Sequence, residues 1–405
     1  MTQGPAVLKA LRKIVFMAFE DASRRQFLQS TVAASAVRVS SERFRDFYFA
    51  ALRQNGIVGS SFLLVGDNAP EEIFYGYSQL ARKIPVGRNT CFHWASITKT
   101  FTGIAIMQLR DRGLLALDDS VCRYVPELHQ VHDPYGPIDS ITIRHLLTHS
   151  AGFRNPTWPW RTEPWQPFEP TKWSQIVAML PYTNLEFRPG SRHSYSNLGI
   201  VFLGQIIERL TDDDYEVYID KNILKPLEMH QTYFDQSPSH LLPYRSHSYF
   251  IEKGQLTEAP FNFDTGITVS NGGLNAPVPD MQKYLRFLIG DSREAGYETV
   301  LKRGSLEEMF AKQLDIASSD SSQLVESSGT DSIGLAFFRH EQNGRLYVGH
   351  GGNQNGFLSH FYLDLPARRA YLVVYNTDTE DSAQNTSKLD LEIRDYVLKR
   401  ALQLS

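Results

Sequence analysis

Residues 91–113 read CFHWASITKTFTGIAIMQLRDRG. Ile97, Phe101, Ile104 and Met107 recur at helical spacing and Gly113 supplies a stop, which predicts a helix over 96–113. Ser96 stands at its N-terminus, among free backbone N–H groups and the positive end of the helix dipole. Lys99 follows three residues later on the same face, so its ammonium can reach the serine oxygen. A serine hydroxyl is a weak nucleophile until a neighbour accepts its proton, and this pair supplies such a neighbour. The S-x-x-K spacing alone recurs by chance in a chain of this length, so the reading needs partners elsewhere.

Upstream, VGSSFLLVG (58–66) and EEIFYGY (71–77) read as strands joined by an Asp-Asn-Ala-Pro turn, after a helical pattern over 41–54. Downstream, helical patterns dominate to about 235 and are clearest near 142–148, 197–210 and 214–224. Strand signals return in RLYVGHG (345–351), FLSHFYLDL (357–365) and RAYLVVYN (369–376), followed by an amphipathic helix over 387–403. A sheet must therefore be assembled from both ends of the chain, with the helical middle as an insertion. Short turns between consecutive strands make the sheet antiparallel and the fold class α+β. Residues 155–173 hold five prolines and four of the five tryptophans, which predicts a loop; the tryptophans either pin it to the body or wall a substrate cleft.

Two further segments carry chemistry. Tyr195-Ser196-Asn197 precedes a helix. Beside a buried ammonium the phenol would ionise more readily and could take the serine proton, while Asn197 offers an amide to substrate or to Lys99. A turn tyrosine and a helix-capping asparagine would look the same. Val348-Gly349-His350-Gly351-Gly352-Asn353 lies in a strand context, where glycines mark close approach of a ligand to the backbone. The N–H groups of Asn353 and Ser96 could form an oxyanion hole there. A glycine-rich turn with a structural histidine is the plain alternative.

Composition bounds the rest. Apolar residues make up 42% and charged residues 21% of 405, as in an ordinary globular protein, and the net charge of −4 argues against nucleic acid as a partner. No apolar run is long enough to span a membrane. Cys91 and Cys122 read as idle or structural thiols. Ser23-Arg24-Arg25-Gln26-Phe27-Leu28 with Ala34-Ser35-Ala36 is similar to a twin-arginine export signal, yet the intervening stretch is short and weakly apolar, and the plain alternative is an amphipathic helix running on into Arg43, Phe47 and Leu52; cytoplasmic location is the slightly favoured expectation, export to the periplasm the alternative. His145 and His149 have a zinc-compatible spacing but lack the H-E-x-x-H glutamate and an evident third ligand, so no metal is expected. There is no G-x-S-x-G elbow and no phosphate-binding glycine loop.

S-x-x-K, then Y-x-N, then H-G-G, separated by 99 and 155 residues, resembles the serine β-lactamase and penicillin-binding-protein superfamily, in its class C, DD-peptidase and related esterase branch. Ile141–Gly152, Phe187–Ile200, Ser270–Leu274 and Gly349–Phe357 match it as well. The resemblance implies an antiparallel sheet flanked by helices with an inserted all-helical subdomain. Residues 1–40 would be an extension and 41–405 a single catalytic domain. Its α/β part would be about 41–115 and 265–405, and its helical subdomain about 116–264. It implies Ser96, Lys99 and Tyr195 as catalytic residues, with Asn197, His350, Gly351, Gly352 and Asn353 binding substrate. The expected activity is hydrolysis of an ester, amide or D-amino-acid peptide through an acyl-Ser96 intermediate. The expected partner is a small-molecule or short-peptide substrate, and no cofactor is expected. His350-Gly351-Gly352 stands where class C β-lactamases have Lys-Thr-Gly, and a histidine is mostly neutral at pH 7, which puts strong β-lactamase activity in doubt. The competing hypothesis is a non-catalytic binding or scaffold protein that keeps this fold.

Overall fold

A computed structural model describes residues 42–66, 69–153, 170–259, 265–290, 296–317, 330–342, 344–379 and 385–401. Residues 54–391 form one compact unit, and 42–53 with the chain from 392 form a second. The twin-arginine-like segment lies outside the described residues.

The strands in chain order are β1 (Gly59–Val65), β2 (Glu71–Gln79), β3 (Ile84–Pro85), β4 (Cys91–His93), β5 (Tyr233–Phe234), β6 (Tyr249–Glu252), β7 (Gln255–Glu258), β8 (Leu274–Pro277), β9 (Leu314–Asp315), β10 (Thr330–Ile333), β11 (Phe338–Gln342), β12 (Arg345–Gln354), β13 (Phe357–Asp364), β14 (Arg369–Tyr375) and β15 (Thr377–Thr379). Nine of them form one sheet in the order β3-β2-β1-β14-β13-β12-β11-β10-β9. Its neighbours are antiparallel throughout, and β1 from one end of the chain pairs with β14 from the other, Ser60 opposite Tyr375. This is the two-ended antiparallel sheet expected from the sequence. β13 and most of β14 are buried on both faces, which explains why they read as nearly continuous apolar runs rather than alternating ones.

Helix α1 covers 42–54 and α2 Thr98–Asp111. The others are α3 (Ile143–Leu147), α4 (Trp173–Met179), α5 (Asn197–Thr211), α6 (Tyr215–Ile219), α7 (Val269–Gly272), α8 (Val278–Ile289), α9 (Arg303–Phe310) and α10 (Thr386–Tyr396). α8 packs across β1, β13 and β14, while α2 lies against α5 and α7. Gly113, in the left-handed region at φ 74°, ends the α2 segment as expected.

α2 differs from the amphipathic helix its apolar spacing suggests, because every residue from Thr98 to Leu109 is buried. Its polar positions tolerate this through hydrogen bonds. Thr98 Oγ1 donates to the Ala95 carbonyl (2.6 Å), Thr100 Oγ1 to Ile97 (2.7 Å) and Thr102 Oγ1 to Ser270 (2.6 Å). Phe101 stacks on Tyr284 of α8 at 4.1 Å, and the Tyr284 hydroxyl donates to Thr100 (2.6 Å). The nucleophile candidate is thus carried by the central helix of the core.

Two expectations need correction. Between 116 and 232 the described residues hold helices, 3₁₀ turns and two isolated bridges, but strands return at Tyr233 rather than near 265. β5 pairs with β8, and β6–β7 with β15; runs of two to four residues are too short to show alternation. The second correction concerns Trp173, which is not in a loop but opens α4. It packs edge-on against Phe202 at 6.1 Å, and its Nε1–H donates to Glu127 (3.2 Å). Residues 154–169, which carry the other tryptophans of that segment, lie outside the described residues, and with them the idea of an aromatic cleft wall. Cys91 and Cys122 are both buried and free.

In the second unit, Tyr396 stacks on Phe47 (4.6 Å) and tilts against Phe44 (5.4 Å), an aromatic cluster that gives the short helical segments there an apolar core.

Candidate active site

Ser96 sits in a 3₁₀ turn, Ala95–Ile97, that leads into α2. Ala95 has φ 47°, a left-handed conformation that costs a non-glycine residue about 1–3 kcal/mol. The turn is held from several sides. Ile97 N–H donates to the Trp94 carbonyl (3.2 Å), Trp94 N–H to Leu274 (2.9 Å), and Leu274 N–H to Thr98 Oγ1 (3.1 Å). Strand β12 closes the remaining side: a Cβ on Gly352 would lie 2.3 Å from the Trp94 carbonyl oxygen and 3.0 Å from the Ser96 nitrogen. Only glycine allows this approach; the sequence pattern led to the expectation of a ligand close to these glycines, whereas what Gly352 meets is the protein's own backbone at the Ser96 turn.

Lys99 is wholly buried and donates from Nζ to Ser96 Oγ (2.8 Å) and to the Asn271 carbonyl oxygen (2.8 Å). Ser96 itself is half-buried. The Tyr195 phenol interacts with the Ser96 side chain, and Lys99 Nζ lies 4.9 Å from the centre of its ring. Three distant stretches of chain therefore meet at one hydroxyl.

The charge state of the phenol differs from expectation. Burial pushes Tyr195 above the ordinary tyrosine value, and the interaction with Ser96 only partly offsets this. The ammonium sits against the ring, with Ser96 and Asn271 as oxygen partners. The resting tyrosine is consequently a neutral phenol.

Asn197 is the first residue of α5, whose N-cap is Ser196, with Oγ accepting from Gly199 N–H (3.2 Å). The Asn197 Oδ1 is buried without a hydrogen-bond partner among the described residues, so this asparagine is not the cap the plain reading supposed. His350 is buried, and its Nδ1 lies 2.6 Å from the Gly351 carbonyl. A carbonyl only accepts, so Nδ1 carries the hydrogen and Nε2 keeps its lone pair. Burial first, then the Lys99 charge, pushes this imidazole down to about 3, and it is neutral at pH 7. Among the described residues β11 pairs with β12 only as far as Phe338 opposite Gly349. His350–Gln354, including Gly351, Gly352 and the exposed Asn353, thus has a strand neighbour on the β13 side alone and presents an open edge beside Ser96.

Three contributors escaped the sequence reading. Asn271 acts through its main-chain carbonyl, which no side-chain pattern announces. Phe338 places its ring 5.0 Å from His350 and 6.5 Å from Tyr195. His149 packs its ring 4.4 Å from Tyr195. Of the H-x-x-x-H pair, His145 Nδ1 accepts from Thr142 N–H in the cap of α3, and His149 packs against Tyr195. The described residues do bring together Cys122, His129 and Asp139, within 4.8 Å of one another, and there His129 Nε2 already pairs with Asp139 at 3.2 Å.

An antiparallel sheet with a core helix presenting serine and lysine, and an open strand edge beside them, defines the architecture of β-lactamases and penicillin-binding proteins. The chain belongs to the β-lactamase family, whose model, Beta-lactamase, matches residues 42–394. It is similar to Protein flp of Staphylococcus aureus (strain MW2), 31% identical over 190 residues, which are 46% of this chain and 36% of that protein. The chain thus spans about a third of the length of the curated relatives it matches. Among solved structures it is similar to the octameric penicillin-binding protein homologue from Pyrococcus abyssi, with TM-score 0.74 and 25% identity over 89% of this chain and 77% of that one. It also shares its fold with the D-amino acid amidase from Ochrobactrum anthropi SV3, with TM-score 0.72 and 20% identity over 89% and 97%.

Proposed function

We propose that the protein is a serine hydrolase that passes an acyl group through Ser96, acting on an ester, amide or D-amino-acid peptide bond. The observation that carries this reading is the convergence on Ser96 Oγ of the Lys99 ammonium at 2.8 Å and the Tyr195 phenol. One of these two groups must lose a proton before it can accept another, and the pair titrates as a unit. In acylation, Ser96 Oγ bonds to the substrate carbonyl carbon as its proton passes to the deprotonated pair. The pair returns the proton to the leaving oxygen or nitrogen as that bond breaks. Water then repeats the sequence on the acyl-serine. The N–H groups of Ser96 and Asn353 would hold the developing oxyanion, and the open β12 edge suits an extended, peptide-like substrate.

His350 decides between substrate branches. A lysine in its place would offer a permanent charge to a substrate carboxylate, whereas this imidazole is neutral and buried. The reading therefore favours esters, amides and D-peptides over β-lactams. Hydrolysis of p-nitrophenyl acetate or butyrate, compared with Ser96→Ala and Tyr195→Phe, tests it: both variants should lose nearly all turnover. Equal rates for wild type and Ser96→Ala would remove the enzyme reading. A panel of ester, D-Ala-D-Ala peptide and cephalosporin substrates then ranks the branches, with the cephalosporin expected last.

A further inference from the structure

α3 ends in a Schellman motif. Ser150 N–H donates to the His145 carbonyl (2.8 Å) and His149 N–H to Leu146 (3.2 Å), which places His149 at the left-handed position with φ 50°. That position ordinarily belongs to glycine, which would avoid roughly 1–2 kcal/mol of strain. What histidine adds there is its side chain, and that side chain is committed to the segment around Tyr195. The His149 carbonyl accepts from Ser194 N–H (2.8 Å), and its Nδ1 accepts from Ser196 N–H (3.2 Å). The ring lies between these two anchors, 4.4 Å from the Tyr195 ring and tilted 36° to it. One residue thus grips the chain on both sides of Tyr195 and packs its own ring against the phenol ring.

The hydrogen bonds also fix the imidazole's state. A backbone N–H donates into Nδ1, so that nitrogen must keep its lone pair, and a second proton there would break the grip on Ser196. Burial, reinforced by His193, Lys99 and His350 nearby, holds the ring well below the usual histidine range, so the grip survives across the working pH range. The ionisable groups around it are therefore His193, Tyr195, Lys99 and His350, and the ring adds no charge to a site whose cation is Lys99.

We propose that His149 is the positioning residue for Tyr195, holding the phenol on Ser96 through the bond from Ser196 N–H to Nδ1. This rests on the acyl-serine reading above. A displacement of about 1 Å at a reacting group costs on the order of 100-fold in rate, which sets the size of the effect.

The test compares His149→Asn with His149→Phe in the full chain. Asparagine tolerates the left-handed conformation and offers Oδ1 where Nδ1 was; phenylalanine keeps the ring and loses the acceptor. Active sites are counted by fluorophosphonate labelling of Ser96, and ester turnover is expressed per labelled site. The expected result is a Phe variant slowed about 100-fold in kcat per site with KM little changed, and an Asn variant within roughly tenfold of wild type. A merely structural role would instead lower the number of labelled sites and leave the rate per site intact. That result, or a Phe variant at least as fast per site as the Asn variant, overturns the proposal. If the Phe variant does not fold, His149→Leu takes its place, with the same expectation. Wild type that turns over without labelling at Ser96 overturns the acyl-serine reading, and the role of His149 with it. Wild type labelled at Ser96 with all His149 variants unchanged per site overturns the His149 proposal alone.

Discussion

Gly352→Ala is a perturbation whose size can be worked from distances. The added Cβ would lie 2.3 Å from the Trp94 carbonyl oxygen, 2.9 Å from Ser359 Oγ and 3.0 Å from the Ser96 nitrogen, whereas ordinary contact begins at 3.4 Å. The Trp94 oxygen belongs to the backbone of the turn that carries Ser96, so it cannot rotate away as a side chain would. About 1 Å of separation must open between β12 and that turn. A misplacement of that size corresponds to on the order of 100-fold in acylation rate, or about 2.7 kcal/mol of barrier. The assay is the rate of fluorophosphonate labelling together with initial ester turnover, with a thermal melt to show that the variant folds. Gly136→Ala is the control, because a Cβ there meets nothing within 4 Å. A Gly352→Ala protein that labels and turns over within threefold of wild type would refute the claim that β12 and the Ser96 turn are locked together.

Acid should destabilise the fold before it titrates most carboxylates. Burial pushes His93 down to about 4 and His350 to about 3, and holds His149 well below 6.5. The unfolded chain binds protons at these groups near pH 6.5 and the folded chain does not, so stability is lost as pH falls below about 6.5. For three imidazoles the slope is at most about 4 kcal/mol per pH unit between pH 6 and 5. Urea unfolding at pH 7, 6 and 5 measures it, and a flat stability over that range would contradict the neutral-histidine assignment. The rate should behave differently. With the Tyr195 phenol pushed upward by burial, kcat/KM for an ester should keep rising with pH through neutrality into the alkaline range. His350→Ala should raise KM while leaving the shape of that profile unchanged; an acid limb near 6.5 that disappears in this variant would show that His350 titrates during turnover.

Ser96, Lys99 and the late strands were legible because they depend on local periodicity: three residues along a helix put two side chains together, and long apolar strands announce themselves. Tyr195 and His350 became legible only jointly, by their order along the chain. What stayed hidden depends on tertiary context. Burial of α2 from Thr98 to Leu109 rests on threonine hydroxyls finding carbonyls, and the short strands between Tyr233 and Glu258 exist only because β8 and β15 are there to pair with them. The phenol was expected to ionise more readily beside an ammonium, but burial outweighs that effect when the ammonium lies against the ring. His149 read as half of an incomplete metal pattern because nothing in sequence links the end of α3 to the turn before α5.

The most direct test of the whole account is intact-mass analysis of the protein trapped with a fluorophosphonate or a slowly hydrolysed ester, followed by peptide mapping. One adduct per chain, located on Ser96 and absent from Ser96→Ala, is the predicted result. A chain that turns substrate over with no adduct, or with the adduct on another residue, would contradict it.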